Sequence, residues 1–327
     1  MSDFRWRHIT GSQRGVALLL VLWVLTALMG IVFTFSVLVR NDLASALSFR
    51  NDLAKRLLAQ AGLERATMEI QYRLLNRGQA IILEGKETWK IDGTTYRDKL
   101  GEGYYTVRIT DDSGKINLNA LTDASGILLK NLLLQLAVSG EDADVIVDSI
   151  LDWKDTDNLV RLHGAEDEYY MALPKPYKAK NANFETLEEL LLIRGVTPDI
   201  FHGTEKHKGL GHFLTIHGNA QRINIASAPR EVLAALPNMT PERAEQIIER
   251  RNTDAILKLE DFRDIFGGDY PQVSPYIGMD ESGIFSIESA GFLEEGKPGY
   301  VIQATAVADK PTRLRYLYYR SPAGWTP

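Results

Sequence analysis

Oxygen donors crowd one stretch of this chain. Asp152-Trp153-Lys154-Asp155-Thr156-Asp157-Asn158 is followed shortly by Gly164-Ala165-Glu166-Asp167-Glu168-Tyr169-Tyr170. Seven carboxylate or amide side chains can converge there if the intervening Leu159–His163 segment folds back. A hard cation such as calcium takes about six to eight oxygens at ~2.3–2.6 Å, and loop carboxylates and carbonyls supply them flexibly. Asp155-x-Asp157 begins like an EF-hand loop, but Val160 stands where that loop needs its glycine. On spacing alone, an acidic solvated loop is the alternative to a cation site.

A second set is His202, His207, His212 and His217, one every five residues in a Gly-rich stretch. Five residues turn a helix by ~500° and alternate the faces of a strand, so neither element would cluster them. A loop could gather them around zinc, but a polar linker is the simpler reading. Other chemistry is thinly represented. The chain has no cysteine, which excludes disulfides, thiolate catalysis and Cys-ligated metal centres. No G-x-S-x-G, P-loop, H-E-x-x-H or Ser/Lys signature is present. No Asp/Glu pair is marked out as catalytic, so the chain reads as a non-enzyme. A formal net charge of −6 argues mildly against a nucleic-acid partner.

The elements that must hold the acidic stretch begin with an apolar run. Val16 to Val39 contains no charged residue, and 18 or so such residues suffice to cross a bilayer core of ~30 Å. Beyond Arg40 an apolar helical spacing continues through Leu43, Leu47, Leu53, Leu57, Leu58, Ala61, Leu63, Ala66, Ile70 and Leu74, with no proline. One continuous helix of about 60 residues is expected, apolar on every face at first and amphipathic afterwards. Arg5, Arg7 and Arg14 precede the run against a single acid, Asp3, while the charges just after it nearly cancel. The positive-inside rule then keeps the N-terminus cytoplasmic and places everything after Arg40 outside. A cleaved secretory signal is disfavoured, because 24 apolar residues exceed the usual signal core and no A-x-A-like site follows promptly.

Residues 79–100 are mixed and punctuated by Gly85 and Gly93. Tyr104–Thr110 alternates as a strand, and Asp111-Asp112-Ser113-Gly114 forms a turn. Helices are expected at 123–138, 141–153, 185–193, 198–203, 229–236, 241–251 and 259–265. Strand alternation returns at 283–293, 300–308 and 313–320. A strand, a helical block of about 160 residues and three further strands imply an insertion into a small antiparallel sheet that packs on the long helix. The block holds an internal echo. Residues 188–199 align with 231–242 at an offset of 43, and Ile223-Asn224-Ile225-Ala226-Ser227-Ala228-Pro229 resembles the lead-in of helix-hairpin-helix units. Thr197-Pro198 and Thr240-Pro241 each start a helix with an N-cap and a first-turn proline. DNA-binding hairpins of this kind use Gly-x-Gly, and Asn238-Met239-Thr240 has no glycine. A packing motif is the reading, with a membrane-anchored DNA-uptake protein as the alternative.

Gln13-Arg14-Gly15 directly before the apolar helix resembles the class III signal of type IV pilins and type II secretion pseudopilins. The resemblance implies cleavage by a prepilin peptidase between Gly15 and Val16, followed by methylation of the new terminus. Most such chains carry Glu at the fifth mature position, and here that position is Leu20. A carboxylate in hydrocarbon is costly without a compensating neighbour, so a chain lacking it fits a subunit with no earlier neighbour. That absence, D-W-x-D-x-D, G-A-E-D-x-Y-Y and the helical insert resemble the pseudopilin K family of type II secretion. The resemblance covers nearly the whole chain.

It implies an α+β, pilin-like fold: a long N-terminal α-helix on a small antiparallel β-sheet, with a large α-helical, SAM-like or helix-hairpin-helix-like insertion. The expected segments are a leader at 1–15, the membrane part of the helix at 16–39, the amphipathic helix and first part of the pilin domain at 40–115, the insert at 116–280 and the final strands at 281–327. It also implies structural calcium held by Asp152, Asp155, Asp157, Glu166 and Asp167. The expected function is structural, capping the tip of the periplasmic pseudopilus and helping its initiation. Expected partners are minor pseudopilins I and J, the rest of the pseudopilus, the inner-membrane assembly platform and the peptidase, with no nucleic acid. The expected location is the bacterial inner membrane, single-pass, with a periplasmic head.

Overall fold

The computed structural model describes residues 13–76, 89–204, 207–252, 257–310 and 313–323. Residues 1–12 of the expected leader lie outside that set. The chain forms two units, Met1–Ala54 and Lys55–Pro327. Helix α1, Gln13–Leu75, is 63 residues long and contributes to both. In the first unit its apolar side chains from Leu18 to Val39 are exposed, as are Leu43, Leu47 and Leu53. It is long and apolar enough to cross a membrane. Without proline or a charge between Val16 and Val39, nothing in the sequence breaks the helix or requires water there.

The second unit begins with the last part of α1. Ala59, Leu63, Ala66, Ile70 and Leu74 recur at intervals of four or three and form one buried stripe. The amphipathic expectation therefore holds for the C-terminal part, while Leu43, Leu47, Leu53 and Leu57 are exposed in this single chain.

The stripe packs on a sheet of five antiparallel strands in chain order: β1 (Asp92–Leu100), β2 (Gly103–Asp111), β3 (Ile284–Phe292), β4 (Tyr300–Lys310) and β5 (Arg313–Ala323). Alternation along β2 turns Tyr105, Val107 and Ile109 inward, where they meet α1 together with Phe285, Ile287, Ile302 and Ala304. Burying each such aliphatic side chain is worth roughly 1.5–3 kcal/mol. Ser289 Oγ also donates to the Ala59 carbonyl at 2.7 Å, tying β3 to the helix.

The chain leaves the sheet at Asp111 and returns at Ile284, and these points are neighbours, since Asp111 pairs with Phe285. Everything between them forms a core of its own. Leu129, Leu132, Ile146, Ile150, Phe213, Leu233, Ile247 and Phe262 are fully buried within it. A polar neck closes the base. Asp111 Oδ1 accepts from Ser113 N (2.8 Å) and Ser282 Oγ (2.6 Å). Asp112 accepts from Lys115 Nζ (2.8 Å), Ser286 Oγ (2.7 Å) and Thr215 Oγ1 (2.8 Å), so outgoing and returning chain share one carboxylate pair.

Helices α2 (Gly126–Gln135) and α3 (Gly140–Lys154) lead the insert. The short helices α4 (Asp167–Met171), α5 (Pro198–His202) and α6 (Arg230–Ala234) follow, then α7 (Pro241–Arg251). Three details differ from expectation. Asp92–Leu100 is a strand rather than irregular chain. Its residues are mostly polar and exposed, as suits an edge, and pairing with β2 organises it. The segment expected as a helix at 185–193 is a 3-10 helix at Leu187–Leu192. The expected helix at 259–265 is a 3-10 turn, Leu259–Phe262, running into a short α-helix, Arg263–Phe266.

Candidate metal centre

Asp152 lies in the last turn of α3 and is completely buried. Asp155 caps the end of the same helix, and Glu166 sits at the N-cap of α4. The segment between them does fold back, and Arg161 N donates to Asp152 Oδ2 at 3.2 Å. Asp152, Asp155 and Glu166 then present carboxylate oxygens within 4.8 Å of one another. Asp157 and Asp167 lie outside that group. Asp157 Oδ1 accepts from Leu159 N at 2.8 Å, and Asp167 Oδ1 accepts from Ala179 N at 2.9 Å.

Aromatic packing forms the floor. Trp153 meets the Tyr170 ring edge-on at 5.3 Å, and Tyr170 stacks on Tyr177 at 5.3 Å. Lys154 turns away from the acids and donates to the carbonyls of Leu118, Asn119 and Leu121 (3.1, 3.0 and 2.6 Å). It thereby anchors the end of α3 to the start of the insert. Gly164 passes so close that a Cβ there would fall 1.9 Å from Asp152 Oδ2. Arg194 Nη1 holds the Gly164 carbonyl at 3.0 Å while its guanidinium lies over the Tyr169 ring at 4.9 Å.

The electrostatics are unbalanced. Glu166 is 5% exposed, and neither of its carboxylate oxygens has a hydrogen-bond partner. Asp155 Oδ1 is also buried and unpartnered. Burial pushes the Glu166 carboxyl up to about 7, helped by the charges of Asp152, Asp155, Asp157 and Asp167. Burial likewise raises Asp152, against the hydrogen bonds from Arg161. Arg161 meets the inner acids, with Nη1 2.7 Å from Asp152 Oδ1 and 2.5 Å from Asp155 Oδ2. Its Nε reaches Asp123 Oδ1 at 3.0 Å. Burial opposes the guanidinium charge, but the bonds to Asp155, Asp152 and Asp123 win and raise its pKa. Buried carboxylate oxygens without donors are costly unless a cation meets them. An all-oxygen donor set at a helix end and a loop suits a hard divalent ion.

The histidines do not gather. Among the described residues they form no group with ligand spacing. His207 Nδ1 lies near the Lys208 carbonyl and His212 Nδ1 near that of Gly209, while the His202 ring packs edge-on to Phe201. The expected threonine caps form in both repeats, although the first helix of the first repeat is the 3-10 helix Leu187–Leu192. Thr197 Oγ1 accepts from Ile200 N and Thr240 Oγ1 from Arg243 N, both at 3.3 Å. At equivalent places in the two hairpins Gly195 and Asn238 take positive φ, +86° and +55°. Asparagine tolerates the left-handed region, so the missing glycine is not a missing turn. The arginines around the second hairpin have internal partners. Arg243 meets the Asn238 carbonyl and Asp269, Arg250 meets Asp264, and Arg251 meets the Ala228 carbonyl.

One signal went unread in the sequence. Ile116-Asn117-Leu118-Asn119 matches Ile223-Asn224-Ile225-Ala226 in role. Each Ile-Asn pair forms a two-residue parallel bridge, to Leu214–Thr215 and to Ile277–Gly278. Each Asn Oδ1 accepts the amide two residues on at 3.0 Å.

Two models of the family described as "Type II secretion system (T2SS), protein K" match the chain, at residues 114–207 and 223–274. Type II secretion system protein K of Pseudomonas aeruginosa is 28% identical over 264 residues, 77% of this chain and 76% of that one. The Pectobacterium carotovorum protein is 27% identical, over 73% and 75% of the two chains. The Aeromonas hydrophila protein is 34% identical over 31% of this chain and 35% of its own. A chain in the crystal structure of the GspK-GspI-GspJ complex from enterotoxigenic Escherichia coli superposes with a TM-score of 0.62 at 20% identity. It covers 86% of this chain and 100% of that one, a likeness of fold.

Proposed function

The chain belongs to the type II secretion system protein K family, and we propose that it is the minor pseudopilin that caps the periplasmic pseudopilus and takes part in its initiation. The observation that carries this is the 63-residue α1 with an unpaired apolar stripe. Leu43, Leu47, Leu53 and Leu57 are exposed, and at about 100° per residue they fall within about 120° of the helix circumference. A stripe of that width on a soluble surface calls for neighbouring helices. The crystallised relative assembles with GspI and GspJ, and minor pseudopilins I and J are the partners proposed here. The insert between β2 and β3 enlarges the head and acts sterically against further addition. Leu20 in place of an acid fits a subunit that meets no earlier neighbour.

Processing follows the same reading. The peptidase cuts between Gly15 and Val16, the new terminus is methylated, and the apolar part of α1 holds the subunit in the inner membrane until assembly. The basic residues before the run keep that end cytoplasmic and the head periplasmic. Calcium occupies the acidic centre, with Asp152, Asp155 and Glu166 as the inner carboxylates and Asp157 and Asp167 adding charge around them. Its role there is structural, holding the end of α3 to the start of α4. The full chain, co-expressed with pseudopilins I and J, should co-purify with both from detergent. Absence of that complex, together with a gel shift on DNA at physiological salt, would favour the DNA-uptake reading instead.

A further inference from the structure

Arg161 reaches into the acidic centre and bonds two of its carboxylates. Its Nη1 sits 2.7 Å from Asp152 Oδ1 and 2.5 Å from Asp155 Oδ2. Those lengths are within a few tenths of an ångström of the ~2.3–2.6 Å that calcium keeps from its oxygens. The guanidinium nitrogen therefore fills the space between the Asp152 and Asp155 oxygens that a bound ion would bridge, and the two cannot be there together. Glu166 supplies the independent sign that a cation larger in charge belongs in the place. It is 5% exposed, both its oxygens are unpartnered, and Arg161 makes no bond to it. One guanidinium thus answers two of the three carboxylates and leaves the third unmet.

We infer that Arg161 is a tethered competitor of the metal: it holds Asp152 and Asp155 when the ion is absent, must be displaced for the ion to bind, and so sets the affinity of the site. The geometry provides an exit. Arg161 Nε already bonds Asp123, whose carboxylate is 79% exposed, so the guanidinium can swing outward and keep a partner. Displacement also reaches the surface, because Leu159, Val160 and Leu162 flank Arg161 and are 77%, 62% and 89% exposed. The ion would then reset the loop that carries them. This inference rests on the calcium reading and goes beyond it, since a calcium site as such needs no competing side chain.

The test is calcium titration of the chelator-treated full-length chain in detergent, by calorimetry, for the wild type, Arg161→Gln and Arg161→Lys. Displacing two charge-assisted bonds weakens binding, so Arg161→Gln should bind calcium on the order of tenfold tighter or more. Arg161→Lys, a point charge without the fork, should fall between. In the wild type, labelling of Arg161 by phenylglyoxal, read by mass spectrometry, should be faster in calcium than in chelator. Labelling needs no variant, so it decides the matter even if Arg161→Gln does not fold. Equal or weaker calcium binding by Arg161→Gln, or labelling indifferent to calcium, overturns the competitor and leaves the calcium site standing. No calcium binding by any of the three chains overturns the calcium reading and the competitor with it.

Discussion

Glu166→Gln exchanges an acid for its neutral isostere at the one inner carboxylate without a partner. The Glu166 carboxyl is raised from an ordinary 4.5 to about 7 by burial and by its acidic neighbours. Below pH 4.5 it is protonated folded and unfolded alike and contributes nothing. As pH climbs from there to about 7 only the unfolded chain ionises, so the folded state loses stability, and above about 7 the whole cost stands. At 1.36 kcal/mol per pH unit that span is worth about 3 kcal/mol. Glutamine does not titrate, so the variant should exceed the wild type by roughly 2–3 kcal/mol more at pH 8 than at pH 5 in chelator. Calcium should reverse the order, because the ion stabilises the wild type by mass action and finds one carboxylate fewer in the variant. Urea unfolding of residues 55–327, followed by tryptophan fluorescence at both pH values with chelator and with calcium, measures all four states. A difference between the two chains that is flat from pH 5 to pH 8, or a variant that responds to calcium as strongly as the wild type, would refute the reasoning.

Other perturbations probe other parts. Gly164→Ala drives a Cβ to 1.9 Å from a carboxylate oxygen that is itself buried and bonded; unfolding experiments should show a loss of roughly 2–3 kcal/mol and a weaker calcium response. Thr197→Ala and Thr240→Ala each remove a helix N-cap and should each cost about 1 kcal/mol by the same measurement. Asn238→Gly should be near neutral, whereas Asn238→Val, β-branched at positive φ, should cost about 1–2 kcal/mol; equal effects would mean the hairpin does not need that conformation. Replacing Gly15 by a bulkier residue should leave the leader attached and block assembly, and an intact mass that still begins at Val16 would remove the peptidase assignment.

Much of this protein was legible along the chain because it rests on local patterns. The long helix follows from an uninterrupted apolar period, and its membrane-length first part from 24 residues without a charge. Strands β2 to β5 follow from alternation, and the repeats from Thr-Pro starts placed 43 residues apart. The acidic stretch was visible for the same reason, as oxygen donors dense in sequence. Tertiary structure decided what those patterns could not. Strand β1 is polar and weakly strand-forming by itself, and β2 organises it by pairing. Asp111 and Ile284 are brought side by side by sheet register across the whole insert, which no local period encodes. Within the acidic stretch, the fold drew Asp152, Asp155 and Glu166 together and gave Asp157 and Asp167 backbone partners of their own. Charge density is a property of composition, but whether a carboxylate is desolvated and left without a donor depends on what packs over it. Burial and the fold-back of Arg161 set that, and both are three-dimensional facts.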